Sequence, residues 1–164
     1  MSVNNQVSET GLEKAETGNM TQLACFVIDD LLCGIDIKWV QEINRNLELT
    51  QVPLAPDYVV GIMNLRGRIV TVINLGKKLG LSPCTMGSKS RVIIVDREDE
   101  YIGLLVDGIK DVVTIDASRI TPPPANIAID KGTFFSGAYK SQDSLISILD
   151  VEMVLVEESK GENG

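Results

Sequence analysis

Among the residue types that do chemistry, the 164-residue chain lacks one altogether: it contains no histidine. Histidine is the commonest general base near neutral pH and a leading zinc ligand. Ser–His and Cys–His nucleophile pairs are therefore impossible. The three cysteines, Cys25, Cys33 and Cys84, are an odd set without Cys-x-x-Cys spacing, a usage that suits a reducing compartment. Cys25 and Cys33 lie in apolar runs and are expected as small core residues. The remaining reactive pattern is acidic. Asp29 and Asp30 after an apolar run, then Asp57 and Lys110, imitate the acidic pair, phosphoacceptor and lysine of a phosphorylatable receiver domain. A phosphoacceptor must end a buried strand, however, and Asp57 follows Pro53-Leu54-Ala55-Pro56, which cannot be a central strand. These acids are expected at turns and strand ends. The chain is expected to have no catalytic activity, no cofactor and no metal site.

Charge narrows the partners. The net charge is −8 and the sequence pI about 4.5. A nucleic-acid binder neutralises phosphates with a basic face, often interleaved with aromatic residues. Here the balance is acidic, and the aromatic residues are Trp39, three Tyr and three Phe. An oligonucleotide-binding small barrel is therefore a distant alternative, and an anionic membrane surface is disfavoured for the same electrostatic reason. No apolar run approaches membrane-spanning length. Residues 1–20 and 158–164 are polar and read as disordered tails.

The elements that would position any functional residue come in two copies. Gly34-Ile35-Asp36-Ile37 through Ile43 resembles Gly103-Leu104-Leu105-Val106 through Val112 at an offset of 69. Tyr58 to Leu79 resembles Phe134 to Leu155 at an offset of 76, with Gly61 on Gly137 and Leu79 on Leu155. The difference between the offsets places a seven-residue insertion between Val112 and Phe134, where Pro122, Pro123 and Pro124 mark a loop. Each copy reads as short strands with turn punctuation. Leu23–Ile28 and Val92–Val95 are apolar runs that suit buried strands. Arg66-Gly67-Arg68 and Ser141-Gln142-Asp143 read as hairpin turns. Helices are expected to be brief, over residues 75–81 and 150–156, and residues 35–43 suit either a helical turn or two strands. No long amphipathic helix lies between strands, so parallel α/β units are disfavoured and small barrels favoured.

The segment Pro53-Leu54-Ala55-Pro56-Asp57-Tyr58-Val59-Val60-Gly61-Ile62-Met63-Asn64-Leu65-Arg66-Gly67-Arg68-Ile69-Val70-Thr71-Val72-Ile73-Asn74-Leu75 closely resembles the signature of CheW-like domains. Two further stretches match in order, Tyr101-Ile102-Gly103-Leu104-Leu105-Val106-Asp107-Gly108-Ile109 and Ile148-Leu149-Asp150-Val151. Thr71 departs from the proline often found there. The resemblance covers about residues 21 to 156. It implies an all-β fold of two packed five-stranded SH3-like barrels related by internal duplication, with few short helices. The barrels are expected over residues 21–84 and 85–157, with terminal strands open to exchange between them.

The same resemblance implies a role. CheW-like proteins couple a CheA-type histidine kinase, through its regulatory domain, to the cytoplasmic tips of methyl-accepting chemoreceptors. The chain lacks residues for a kinase core or an appended receiver, so a stand-alone coupling member is expected. It would be monomeric alone and cytoplasmic, recruited to membrane-associated receptor arrays through its partners. The alternative within the family is a hybrid coupling scaffold of the CheV type. The resemblance implies that Arg66 lies in the partner-contact region, where its planar guanidinium can orient a carboxylate. Glu42 is expected as that carboxylate, within the chain or across an interface. Asn64 and Leu65 belong to the same motif. Gly61 is expected to serve the backbone and to lie near a partner surface as well. Val40, Ile43, Val106 and Ile109 are apolar and complete the expected partner-facing set, with core positions the competing reading for each.

Overall fold

The structure is a computed structural model that describes residues 19–123 and 134–156. Ten strands dominate: β1 (Met20–Ile28), β2 (Leu31–Asp36), β3 (Val40–Asn44), β4 (Val59–Leu65), β5 (Arg68–Asn74), β6 (Arg91–Arg97), β7 (Glu100–Val106), β8 (Gly108–Asp116), β9 (Phe135–Ser141) and β10 (Ser144–Leu149). Helix α1 (Leu75–Lys78) follows β5, and helix α2 (residues 151–156) follows β10. Short 3-10 turns occupy Ile37–Trp39 and Ala117–Arg119. The ambiguous stretch at residues 35–43 thus resolves into the end of β2, a 3-10 turn and most of β3. The expected tails fall outside the described residues, except that Asn19 and Met20 are described and β1 begins at Met20. Pro124 also lies outside them.

Local chemistry repeats with the duplication. Asn74 caps α1 by accepting from the Lys77 amide at 3.2 Å, and Asp150, its counterpart 76 residues on, accepts from the Met153 amide at 3.2 Å. Asp29 and Glu98, 69 residues apart, turn the β1–β2 and β6–β7 hairpins with φ of 54° and 53°.

The two copies do not fold side by side. One sheet has the order β8-β1-β2-β10-β9 and the other β3-β6-β7-β5-β4. Each sheet therefore takes its central hairpin from one copy and its three remaining strands from the other. Residues 21–84 and 85–157 both contribute strands to both sheets. The exchange needs one parallel pair in each sheet, β2 with β10 and β5 with β7. In each sheet the segment after an edge strand returns to the opposite edge, through the Thr50–Ile62 and Thr121–Ala138 bridges, and carries the sheet round towards closure. We call the first barrel A and the second barrel B. The spacing of Thr50 and Thr121 is 71 residues, so the seven-residue insertion divides into two residues before Thr121 and five after it.

Strand alternation sends side chains of β1 to two different cores. Leu23 and Cys25 join Ile115, Ile146 and Ile148 inside barrel A. Ala24, Phe26 and Ile28 join a larger cluster with Val70, Val72, Val92, Ile94 and Leu104 of barrel B. The interior of barrel B and the seam between the barrels are thus one continuous apolar body. Close strand packing fixes two glycine pairs. A Cβ at Gly34 would stand 2.9 Å from the Ile146 side chain, and one at Gly103 would stand 2.7 Å from Val92. A Cβ at Gly61 would stand 2.5 Å from the Thr50 carbonyl oxygen, and one at Gly137 would stand 2.7 Å from that of Thr121. The three cysteines are free and buried. Burial pushes the Cys33 thiol far up and the Cys84 thiol up to about 11, so neither is a thiolate near neutral pH.

Candidate interaction site

Barrel B carries its distinctive surface on the β4–β5 hairpin. Arg66 and Gly67 form the two-residue turn with φ of 51° and 87°. Positive φ at both positions is the requirement of the type I′ turn that matches strand twist. A Cβ at Gly67 would meet nothing within 4 Å, so the backbone conformation, not space, selects glycine here. Asn64 pins the turn by accepting from the Gly67 amide at 2.9 Å.

The turn aims Arg66 at β3. Its Nη2 donates to Glu42 Oε1 at 2.7 Å, and Asn44 Nδ2 donates to Glu42 Oε2 at 3.3 Å. The bond from Arg66 is the main cause that holds the Glu42 carboxyl below its usual range. The carboxylate expected from the sequence is therefore found within the chain. Strands β3 and β4 are the two edges of the barrel B sheet, so the ion pair spans the place where the barrel closes. Arg66 has 67% of its side-chain surface exposed and Glu42 26%. An ion pair so wetted adds little to stability. What it supplies is a guanidinium and a carboxylate held at a fixed position on an open surface.

Apolar groups are exposed on the same elements. Ile43 of β3 and Ile69 of β5 are both exposed large hydrophobics. The Arg68 guanidinium lies 3.7 Å from the Tyr101 ring centroid and donates to the Asp99 carbonyl at 2.6 Å. A groove lined by residues 46–50, 62–64 and Ile69 borders the hairpin. Ile69 and the Arg68–Tyr101 stack were missed in the sequence reading. The signal was present in β5: Val70 and Val72 point inward, so period-two alternation turns Ile69 outward.

The remaining expected residues lie lower. Val40 and Ile109 are half-buried and pack against the large core cluster. Leu65 and Val106 are buried within it, and Gly61 is buried beneath the Thr50 bridge. These five shape the surface from underneath. Ile43, Asn64 and Arg66 are the exposed members of the set, and Glu42 is half-buried beside Arg66.

Barrel A repeats only part of this face. The duplication puts Asp111 at the place of Glu42, Gln142 at that of Arg66, Val112 at that of Ile43 and Leu145 at that of Ile69. Val112 and Leu145 are exposed as their counterparts are. With glutamine in place of arginine, the ion pair is not repeated. Among the described residues no group of three or more His, Cys, Asp or Glu is placed to hold a metal ion. No helix there is long and apolar enough to cross a membrane.

Known proteins are similar to this chain in sequence and in fold. The family model for the CheW-like domain matches residues 22–159. The chemotaxis protein CheW of Helicobacter pylori is 30% identical over 148 residues, covering 90% of this chain and 89% of the relative. That of Bacillus subtilis is 30% identical over 145 residues, covering 88% and 93%. The crystal structure of the scaffolding protein TtCheW from Thermoanaerobacter tengcongensis superposes with a TM-score of 0.74 at 32% identity, covering 82% of this chain and 86% of that one. The duplicated barrels, the hairpin motif and a family match across both barrels agree, and this chain belongs to the CheW-like domain family.

Proposed function

We propose that this chain is a non-enzymatic chemotaxis scaffold that couples the regulatory domain of a CheA-type histidine kinase to the cytoplasmic tip of a methyl-accepting chemoreceptor. The observation that carries this reading is the tied Arg66–Glu42 pair, held at the surface by elements that also carry the exposed Ile43 and Ile69. Family membership supports the coupling role, and the relatives' name places them in chemotaxis. An exposed apolar pair beside oriented polar groups is the composition of a protein-binding patch.

In this reading the kinase domain docks on the hairpin face of barrel B, through Glu42, Ile43, Asn64 and Arg66, with Val40, Gly61 and Leu65 supporting it. The groove between the barrels seats the receptor helix, over a floor that includes Val106 and Ile109. Holding both partners together raises their effective concentration. A coupling of about 1–3 kcal/mol then suffices to let receptor conformation change kinase activity several-fold. Affinity capture with a kinase regulatory domain and a receptor-tip fragment tests the reading. Wild-type protein is expected to retain both, and failure to retain either fragment rejects it. Arg66→Glu and Glu42→Arg are each expected to lose the kinase fragment, and the double reversal to recover part of the binding.

A further inference from the structure

Asp107 sits inside the Val106-Asp107-Gly108 motif, yet it belongs to none of the surfaces described above. It occupies the single residue between β7 of barrel B and β8 of barrel A. Its own amide donates to the Val27 carbonyl of β1 at 3.1 Å. Its carboxylate takes two further bonds from different parts of the molecule. Oδ2 accepts from the Asp29 amide at 2.7 Å, at the tip of the β1–β2 hairpin of barrel A. Oδ1 accepts from the Thr85 amide at 3.0 Å, in the connection between α1 and β6. That connection is itself anchored to barrel B, because the Cys84 amide donates to Asn74 Oδ1 at 2.8 Å and Asn74 Nδ2 donates to the Cys84 carbonyl at 2.9 Å.

From this geometry we infer that Asp107 is a clasp between the barrels, a positioning residue that fixes their mutual orientation. Three features carry the inference. The residue lies at a crossover, where the chain leaves one barrel for the other. Each carboxylate oxygen holds a backbone amide from a different segment, one in barrel A and one in the barrel B connection. The Asp29 amide belongs to a residue in the left-handed region, φ 54°, and the carboxylate engages it there. The copy 69 residues earlier offers no equivalent, because Lys38 stands at the matching crossover and Asp36 spends its carboxylate on the Lys38 amide at 2.9 Å. The clasp is one-sided in an otherwise duplicated fold.

The clasp does not rest on the scaffold reading. The test uses the isolated full-length chain, so its failure leaves that reading untouched. Spin labels at Lys140→Cys in barrel A and Gln41→Cys in barrel B report the inter-barrel distance by electron–electron double resonance. Asp107→Asn keeps the side chain's shape but turns one acceptor into a donor facing an N–H. It is expected to broaden the distance distribution about twofold or shift its maximum. The amide that faces the new donor, Asp29 or Thr85, should exchange roughly tenfold faster, as loss of one bond to a charged group implies. Core amides of β6 and β7 should keep their protection. Thr85→Pro removes one donor while leaving the carboxylate intact, and is expected to broaden the distribution in the same direction if Asp107→Asn does not fold. A folded variant whose distance distribution matches the wild type overturns the inference.

Discussion

Barrels A and B share a plan and differ in what fills and covers them. Barrel A has its own small apolar cluster of Leu23, Cys25, Ile115, Ile146 and Ile148. The interior of barrel B is continuous with the inter-barrel seam in one much larger cluster. On the outside, barrel B ties Arg66 to Glu42, whereas barrel A has Gln142 and Asp111 at the matching places of the sequence. What the duplication preserves is what the backbone demands: the close-approach glycines, the helix caps and the left-handed residue that turns the β1–β2 and β6–β7 hairpins. What it lets drift is core volume and surface charge. Stability and recognition should therefore be distributed unequally between two barrels of the same topology.

The largest expected effect breaks the comparison at the core. Leu104→Ala opens a hole in the dense shared cluster, where neighbours have little freedom to collapse, and should cost about 4 kcal/mol. Ile146→Ala in barrel A should cost less, about 2–3 kcal/mol, because half-buried Leu32, Val113, Ile120 and Tyr139 surround that cluster and can relax. Urea unfolding of both variants measures the difference, and equal losses would remove the asymmetry. A second change tests what the barrels share. Gly61→Ala and Gly137→Ala each drive a methyl group into a backbone carbonyl, and each should cost about 2–3 kcal/mol. A cost confined to Gly61 would show that the position is backbone-limited in barrel B alone.

How far the sequence revealed this division depends on the kind of feature. The repeat at Gly61 and Gly137 and the hairpin at Arg66-Gly67 were legible because strand period and turn chemistry act locally, whereas Glu42 was expected only through the family resemblance. The reciprocal exchange of hairpins was not legible, because β1 pairs as well by pattern with its own copy as with β8 of the other; only global packing decides. Leu65 and Val106 illustrate the same limit. Their apolar character fits core or partner surface equally, and only the closed barrel shows that they are buried.

Surface changes should move binding and leave folding alone. Arg66→Glu should weaken kinase-domain binding at least tenfold with no change in the unfolding midpoint, while Gln142→Glu at the matching place in barrel A should leave that affinity unchanged. Calorimetric titration compares the two, and equal losses would deny barrel B its special face. The smallest expected effect concerns pH. The folded-state pKa of Glu42 is depressed by Arg66, so the ion pair is complete above the ordinary carboxylate value of about 4.3 and is lost as pH falls through the depressed value. At pH values well above that ordinary carboxylate value, kinase-domain affinity should be flat with respect to this group. Carbon-detected titration of the Glu42 carboxyl should follow the depressed curve in wild type and return to the ordinary one in Arg66→Ala.

The central claim is that one chain presents two separate binding surfaces and holds two partners at once. Sedimentation velocity of this protein with the kinase regulatory domain and a receptor-tip fragment tests it most directly. A single boundary containing all three species, replaced by a receptor-only complex in Arg66→Glu, is the expected result. Competition between the two fragments for one surface, or no shift with either, would contradict it.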